Sequence, residues 1–410
     1  MNSSPATEKA SSSFEAGGNR PSAQSTKLGG TGQAPNRQKL EGTGQAPNRQ
    51  NSSGGSVSTA TIARWFRKLP ESGKLQCQLC PRACTLSDGE RGFCFVRRRE
   101  AQRLVTDAYG QHTGLCIDPI EKKPLFHFYP GSAVLSIGSI GCNLACRFCQ
   151  NHSSARATQV DALRFASTPE RIAELASEHG CRSVAFTYNE PTVWAEYAIA
   201  IARACHQRNI KTVAVSNGYI QDQARSELYE HIDAANIDLK AFSERFYRQL
   251  CDGKLNPVLN TLEALAKTHV WLELTTLLIP QHNDNPSEIA AMCDWIGEHL
   301  GPDVPLHFSA FHPDYKLLEL PATPIDTLNT ARELALERGL HHVYTGNVLD
   351  TRSQSSYCHH CQAPVIERSW YQLEAFHLEA AQCAACHRDF PGHFAPAPGS
   401  WGNRRLPIPA

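Results

Sequence analysis

The stretch Ser139-Ile140-Gly141-Cys142-Asn143-Leu144-Ala145-Cys146-Arg147-Phe148-Cys149-Gln150-Asn151-His152 closes an apolar, β-branched run and sets three cysteines at the spacing Cys-x3-Cys-x2-Cys. A closed structural zinc site needs four protein ligands, and a closed four-cysteine cluster needs four thiolates. Three thiolates on one short loop hold three irons of a [4Fe–4S] cube and leave the fourth iron open to a non-protein ligand. An open metal position is where chemistry takes place. Phe148, just before the last cysteine, is placed to shield such a cluster from water, and exposure is one lever on its potential. The competing reading is a zinc site completed by a ligand such as His152. It gives no role to the aromatic residue or to the position after a strand.

Outward from this loop, short β-branched runs alternate with amphipathic stretches. Strands are expected at Ala133–Ile140, Ser183–Thr187, Lys211–Val215, Ala235–Leu239, Trp271–Leu278 and Leu306–Ala310, with a weaker one at His342–Tyr344. Helices are expected over Pro169–Glu178, where Thr168 is the N-cap and Pro169 the first helical residue, and over Val193–Arg208, Ser287–Leu300 and Thr327–Arg338. Such β/α units in succession predict an α/β fold with a parallel sheet, either doubly wound or a partial TIM-like barrel. The cysteine loop then lies at the carboxyl end of the first strand, where α/β active sites form.

The flanks differ from this core. Residues 1–60 are rich in Ser, Gly, Gln and Asn, and the segment 30–38 recurs at 42–50, so they are expected to form a disordered tail. Residues 61–130 hold Cys77, Cys80, Cys84 and Cys94 in a Pro/Gly-punctuated knuckle that suits zinc or a second iron–sulfur cluster, followed by an extended connector. The core is expected at 131–346. Residues 347–410 carry Cys358-x2-Cys361 and Cys383-x2-Cys386, with 21 residues between the pairs, the pattern of a structural zinc ribbon. Eleven of the 16 cysteines thus fall into three ligand-like sets, which points to metal sites in a reducing, cytoplasmic compartment rather than to disulfides. Charge balances at 40 basic and 40 acidic residues, which speaks against a nucleic-acid or membrane-surface partner, and no apolar run long enough to span a bilayer is present.

Several motifs combine: Cys77-Gln78-Leu79-Cys80-Pro81-Arg82-Ala83-Cys84, Asp118-Pro119-Ile120-Glu121-Lys122-Lys123-Pro124-Leu125, the triad loop, Thr187-Tyr188-Asn189-Glu190-Pro191-Thr192, and Phe311-His312-Pro313-Asp314-Tyr315. The triad loop resembles the signature of the radical S-adenosylmethionine (SAM) superfamily. The whole set resembles the radical SAM enzymes of the AmmeMemoRadiSam system, relatives of the pyruvate formate-lyase activating enzyme encoded beside Memo-like and AMMECR-like proteins. Ala145 stands where glycine is common, Ala310 interrupts a Ser-Arg-Phe pattern, and both glycines of a Gly-Gly-Glu-Pro stretch are replaced before Glu190.

The resemblance implies a partial (β/α)6 barrel, a [4Fe–4S] cluster on Cys142, Cys146 and Cys149, and SAM bound at the open iron. One electron then cleaves SAM to methionine and a 5′-deoxyadenosyl radical that abstracts hydrogen from substrate, with flavodoxin or ferredoxin as reductant. Asn189 and Glu190 are expected to face the SAM ammonium. Ser216 and Asn217 are candidates for its ribose or carboxylate, Lys240 for its carboxylate, and Asp238 for orienting the lysine or facing substrate. Thr275, on one face with Glu273, is expected to point inward. His307, His312, Asp314 and Tyr315 are expected near the substrate, the last three as catalytic candidates. The leading expectation is an oxidoreductase-like enzyme that modifies a protein, for instance by installing a glycyl radical on a partner. Modification of a small molecule or an RNA nucleotide is a second reading, and a non-catalytic zinc-ribbon binding module a third.

Overall fold

The computed structural model describes residues 61–158 and 165–409; the tail expected at 1–60 and its repeat lie outside the described residues. The central sheet contains β1 (Gly114–Pro119), β2 (Ala133–Gly138), β3 (Ser183–Phe186), β4 (Lys211–Ser216), β5 (Ala234–Asp238), β6 (Trp271–Leu278), β7 (Leu306–Ala310), β8 (Val343–Gly346) and β9 (Leu406–Ile408). Strands β2 to β8 lie side by side in chain order and run parallel. Their crossovers carry α1 (Pro169–Glu178), α2 (Ala195–His206), α3 (Asp222–Tyr229), α4 (Asn256–Leu265), α5 (Pro286–His299) and α6 (Ile325–Glu337). β2, β3 and β7 are buried at every residue, as befits parallel strands covered on both faces. The result is an open, partial α/β barrel with the triad loop leaving the carboxyl end of β2.

Helix signals acted where the sequence placed them. Thr168 accepts the amide of Arg171 and Pro169 opens α1, while Asn285 caps α5 ahead of Pro286. Helix α2 begins after a short 3-10 turn, Pro191–Trp194, because Glu190 and Pro191 start a tighter coil first. The sequence reading did not single out α3 or α4; α3 is short and polar, with only Ala224, Leu228 and Tyr229 buried.

The stretch expected as an extended connector is built into the fold. Arg103–Thr106 pairs with Arg97–Glu100 and with Thr61–Ile62, and β1 pairs antiparallel with β2. The chain end returns as well, with β9 antiparallel to β1. The sheet therefore draws strands from both sides of the expected 131–346 core. Between β1 and β2 the chain turns inward. The amides of Phe126 and His127 donate to the Glu273 carboxylate at 3.0 and 2.8 Å, and His307 Nε2 meets the same carboxylate at 2.7 Å. Arg368, from a hairpin of Pro364–Ser369 and Gln372–Phe376, adds a 2.6 Å bond to the Phe126 carbonyl.

Candidate functional site

Gly141 begins the triad loop at φ +85°, and a Cβ there would lie 2.2 Å from the Cys94 carbonyl oxygen, so only glycine fits. The loop is then braced by the ends of the next two strands. Asn189 Oδ1 accepts the Ser139 amide at 2.8 Å, and its Nδ2 donates to the carbonyls of Ile140 and Gly141 at 3.0 and 2.9 Å. Asn143 Nδ2 donates to the Tyr219 carbonyl at 2.6 Å, and Asn217 Nδ2 donates to Asn143 Oδ1 at 2.9 Å and towards Cys142 Sγ at 3.6 Å. The Leu144 amide also points at Cys142 Sγ, at 3.4 Å. Behind these, the buried Glu190 carboxylate accepts from the amides of Thr192 and Asn217 and from Ser216 Oγ at 2.7 to 3.0 Å. Burial raises its pKa although these donors pull the other way. Asn189 and Glu190, expected to face SAM, thus have their polar atoms engaged in positioning the triad loop and the end of β4.

On the other side, Ala145 and Arg147 donate their amides to the carbonyls of Cys251 and Leu250 at 2.8 and 2.9 Å. Cys251 is buried beside Cys146 and draws the Cys146 pKa down against the effect of burial. Burial raises Cys142, and it pushes Cys149 up to about 11, so loading a metal group on these thiols releases protons. Lys240 Nζ pairs with Asp238 Oδ2 at 2.9 Å. Burial opposes its charge, but Asp238 and the sulfurs of Cys146 and Cys251 outweigh burial and hold Lys240 well above the ordinary lysine range. Phe148 is buried against Phe246, its ring 5.8 Å away, in keeping with a shielding role.

Thr275 sits between Asp238 and His307 in the register of the sheet, and its Oγ1 is buried without a hydrogen-bond partner among the described residues. An orphaned buried donor and acceptor, level in the sheet with Asp238 at the end of β5, suits a polar ligand. The loop after β7 lies over the triad loop: Lys316 donates its amide to the Arg147 carbonyl at 2.9 Å, Asp314 lies 3.5 Å from His152, and Tyr315 stacks on His152 at 4.6 Å. Asp314 and Tyr315 therefore reach the triad loop, whereas His307 is tied to Glu273, and His312 is exposed. His152 is committed to the Cys149 carbonyl, at 3.2 Å, and to Asp314.

The three cysteine sets differ in compactness. The ribbon sulfurs of Cys358, Cys361, Cys383 and Cys386 all lie within 4.8 Å of one another, with Cys358–Cys386 and Cys361–Cys383 at 3.7 Å. A tetrahedral ion with metal–sulfur bonds of about 2.3 Å requires an edge of about 3.8 Å. His359 does not join these thiols but stacks on His341 near Asp303. Among the described residues the triad sulfurs and Cys251 do not form a single-ion group as compact as the ribbon's. The donors on Cys142 Sγ and the orphaned Thr275 hydroxyl fit a bound cluster with a polar ligand beside it. The residues missed from sequence were Arg82, Asn143 and Cys251. Asn143 and Arg82 stood inside quoted motifs, but Cys251 carries no local pattern that marks it.

A family model described as the radical SAM superfamily matches residues 136–296. An uncharacterized protein of Methanocaldococcus jannaschii, MJ0808, is 40% identical over 326 residues, covering 79% of this chain and 97% of that protein. Among solved structures, a domain of the pyruvate-formate lyase-activating enzyme from Bacteroides vulgatus is similar at 17% identity and a TM-score of 0.36, over 40% of this chain and 99% of that one. Streptococcus suis SuiB bound to precursor peptide SuiA is similar at 16% identity and a TM-score of 0.43, over 56% of this chain and 51% of that one.

Proposed function

Because the chain belongs to the radical SAM superfamily, we propose that it is an enzyme that modifies a partner protein by hydrogen abstraction, with Cys142, Cys146 and Cys149 holding the [4Fe–4S] cluster and SAM at its open iron. When bound and reduced by one electron from a flavodoxin or ferredoxin, this pair supplies a 5′-deoxyadenosyl radical. The protein's own residues set the stage for it. Asn189 and Asn143 fix the loop, Asn217 donates to a ligand sulfur, and Phe148 excludes water. Ser216, Asn217, Thr275 and the Lys240–Asp238 pair supply the polar groups for SAM, with Glu190 holding the Ser216–Asn217 turn in place. Asp314 and Tyr315 lie on the substrate side.

The observation that carries the protein-substrate reading is an apolar rim. Leu318 is 66% exposed, Leu349 63% and Ile325 43%. Leu318 and Leu349 lie in the connections leaving the carboxyl ends of β7 and β8, the end of the sheet that bears the triad, and Ile325 opens α6 after the first of them. Exposed large apolar residues on the connections at this end of the sheet suit docking of a macromolecule better than capture of a small solute. The quoted motifs make a Memo-like or AMMECR-like protein the first partner to try, and the ribbon thiols are assigned to zinc. No helix among the described residues is long and apolar enough to cross a membrane. The cysteine sets, read as metal sites of a reducing compartment, support a cytoplasmic enzyme. The test is anaerobic turnover with a candidate partner expressed in deuterated medium. Deuterium in 5′-deoxyadenosine, with a mass change on the partner, is expected. Deuterium arriving only from a labelled small-molecule or RNA pool would overturn the protein-substrate reading.

A further inference from the structure

Cys77, Cys80, Cys84 and Cys94 converge on one cavity, together with Arg97 and Asn143. Cys77 and Cys80 are buried, Cys84 and Cys94 are partly buried, and Leu79, Leu86 and Val193 line the cavity with apolar surface. Four thiols pointing into a common space are a ligand set, and the spread of their sulfurs decides what it holds. A single tetrahedral ion demands the compactness seen in the ribbon, where all four sulfurs lie within 4.8 Å of one another. Among the described residues no three of the knuckle sulfurs meet that condition. In this they match the triad, whose thiolates belong to different irons. A multi-iron cluster places its thiolates on different metals and so needs the wider frame.

The surroundings suit such a group. A cluster with four thiolates is anionic, and the Arg97 guanidinium lines the cavity while its charge is balanced on the far side by Glu196 at 2.9 and 3.0 Å. Arg82 caps the knuckle, stacking on Phe93, bonding the carbonyls of Asn143 and Asp252, and pairing with the Asp252 carboxylate at 3.2 Å. The knuckle is also fixed to the core by the Gln221 amide and side chain on the carbonyls of Leu79 and Cys80, at 3.1 and 3.0 Å. Its placement is specific. The Cys94 carbonyl packs on Gly141, and Asn143 belongs both to this cavity and to the network around Cys142.

We propose that Cys77, Cys80, Cys84 and Cys94 hold a second iron–sulfur cluster, packed against the loop that carries the triad, whereas the ribbon alone takes a single ion. The proposal does not depend on what the enzyme modifies. It is tested on the full-length protein purified anaerobically, with iron, sulfide and zinc quantified and the reduced protein examined by electron paramagnetic resonance. The variant Cys142→Ala/Cys146→Ala/Cys149→Ala is expected to retain iron and sulfide in matched amounts, about one zinc, and a reduced-cluster signal that SAM does not alter. The variant Cys77→Ser/Cys80→Ser is expected to lose that signal and about half of the iron, keeping its zinc and the SAM-sensitive signal. Loss of all iron from the triad variant, or about two zinc ions per wild-type chain, would overturn the proposal. If the knuckle variant does not fold, the triad variant and the wild-type zinc content still decide.

Discussion

Asn217 shows how much one side chain does at this site. Its amide reaches both Asn143 and the Cys142 sulfur, and a hydrogen bond to a ligand sulfur favours the more negative, reduced cluster. Asn217→Ala removes that donor. With about 1 kcal/mol for the bond, the cluster potential should become more negative by roughly 40–60 mV, read by an electron paramagnetic resonance titration. Gly141 is fixed by sterics alone. Gly141→Ala at φ +85° against the Cys94 carbonyl should cost about 1–3 kcal/mol or more, measured as a lowered unfolding midpoint. The sequence made the cysteines legible because metal ligands must recur at fixed spacing. It could not show that Asn189 and Glu190 act through the loop, because strand-end polarity reads the same whether a residue faces a ligand or a neighbouring turn. Cys251 is invisible in sequence for a related reason: its approach to Cys146 is set by packing across the barrel end, with no local motif.

At the level of elements, the knuckle is joined to the barrel by buried charge. Arg97 and Glu196 are 1% and 5% exposed at their side chains, and the Arg64 amide adds a 2.7 Å bond to the same carboxylate. Breaking one partner leaves the other charged and unpaired, so Arg97→Met should destabilise the fold by about 3–5 kcal/mol. Arg97→Met with Glu196→Leu should recover much of that loss, because two apolar residues leave no stranded charge. Denaturant unfolding of the single and double variants checks this. The parallel strands were legible from their buried β-branched runs, with Trp271–Leu278 and Leu306–Ala310 coinciding with β6 and β7. Strand β1 was not, because a short antiparallel strand leading into the inward turn at Phe126 and His127 reads locally as a connector. Its partner β9 lies almost 290 residues away, which no local pattern encodes.

Across the whole molecule, stability in acid should depend on Asp118, fully buried at the edge of the barrel and paired with Lys123 at 2.7 Å and Lys122 at 3.1 Å. Burial raises its pKa, but Lys123 chiefly, with Lys122 and Ser136, outweighs burial and depresses it far below the ordinary value. A depressed carboxylate stabilises the fold fully above its unfolded pKa of about 3.9 and loses that contribution as pH falls through the folded value. The stability lost by Asp118→Asn at neutral pH should therefore shrink as pH drops below about 4, measured by unfolding at each pH. The barrel also organises the chemistry. The triad, the Lys240–Asp238 pair and the β7 loop all come from carboxyl ends of strands, with Thr275 beside Asp238 in the sheet, while Glu273, His307 and the inserted Phe126–His127 segment form an interior network. The central claim is that Cys142, Cys146 and Cys149 hold a cluster whose open iron binds SAM. Its most direct measurement is 5′-deoxyadenosine formed by anaerobically reconstituted, reduced protein with SAM. The account predicts its formation by wild type and its loss in Cys146→Ala; wild type with a full complement of iron and no 5′-deoxyadenosine would contradict it.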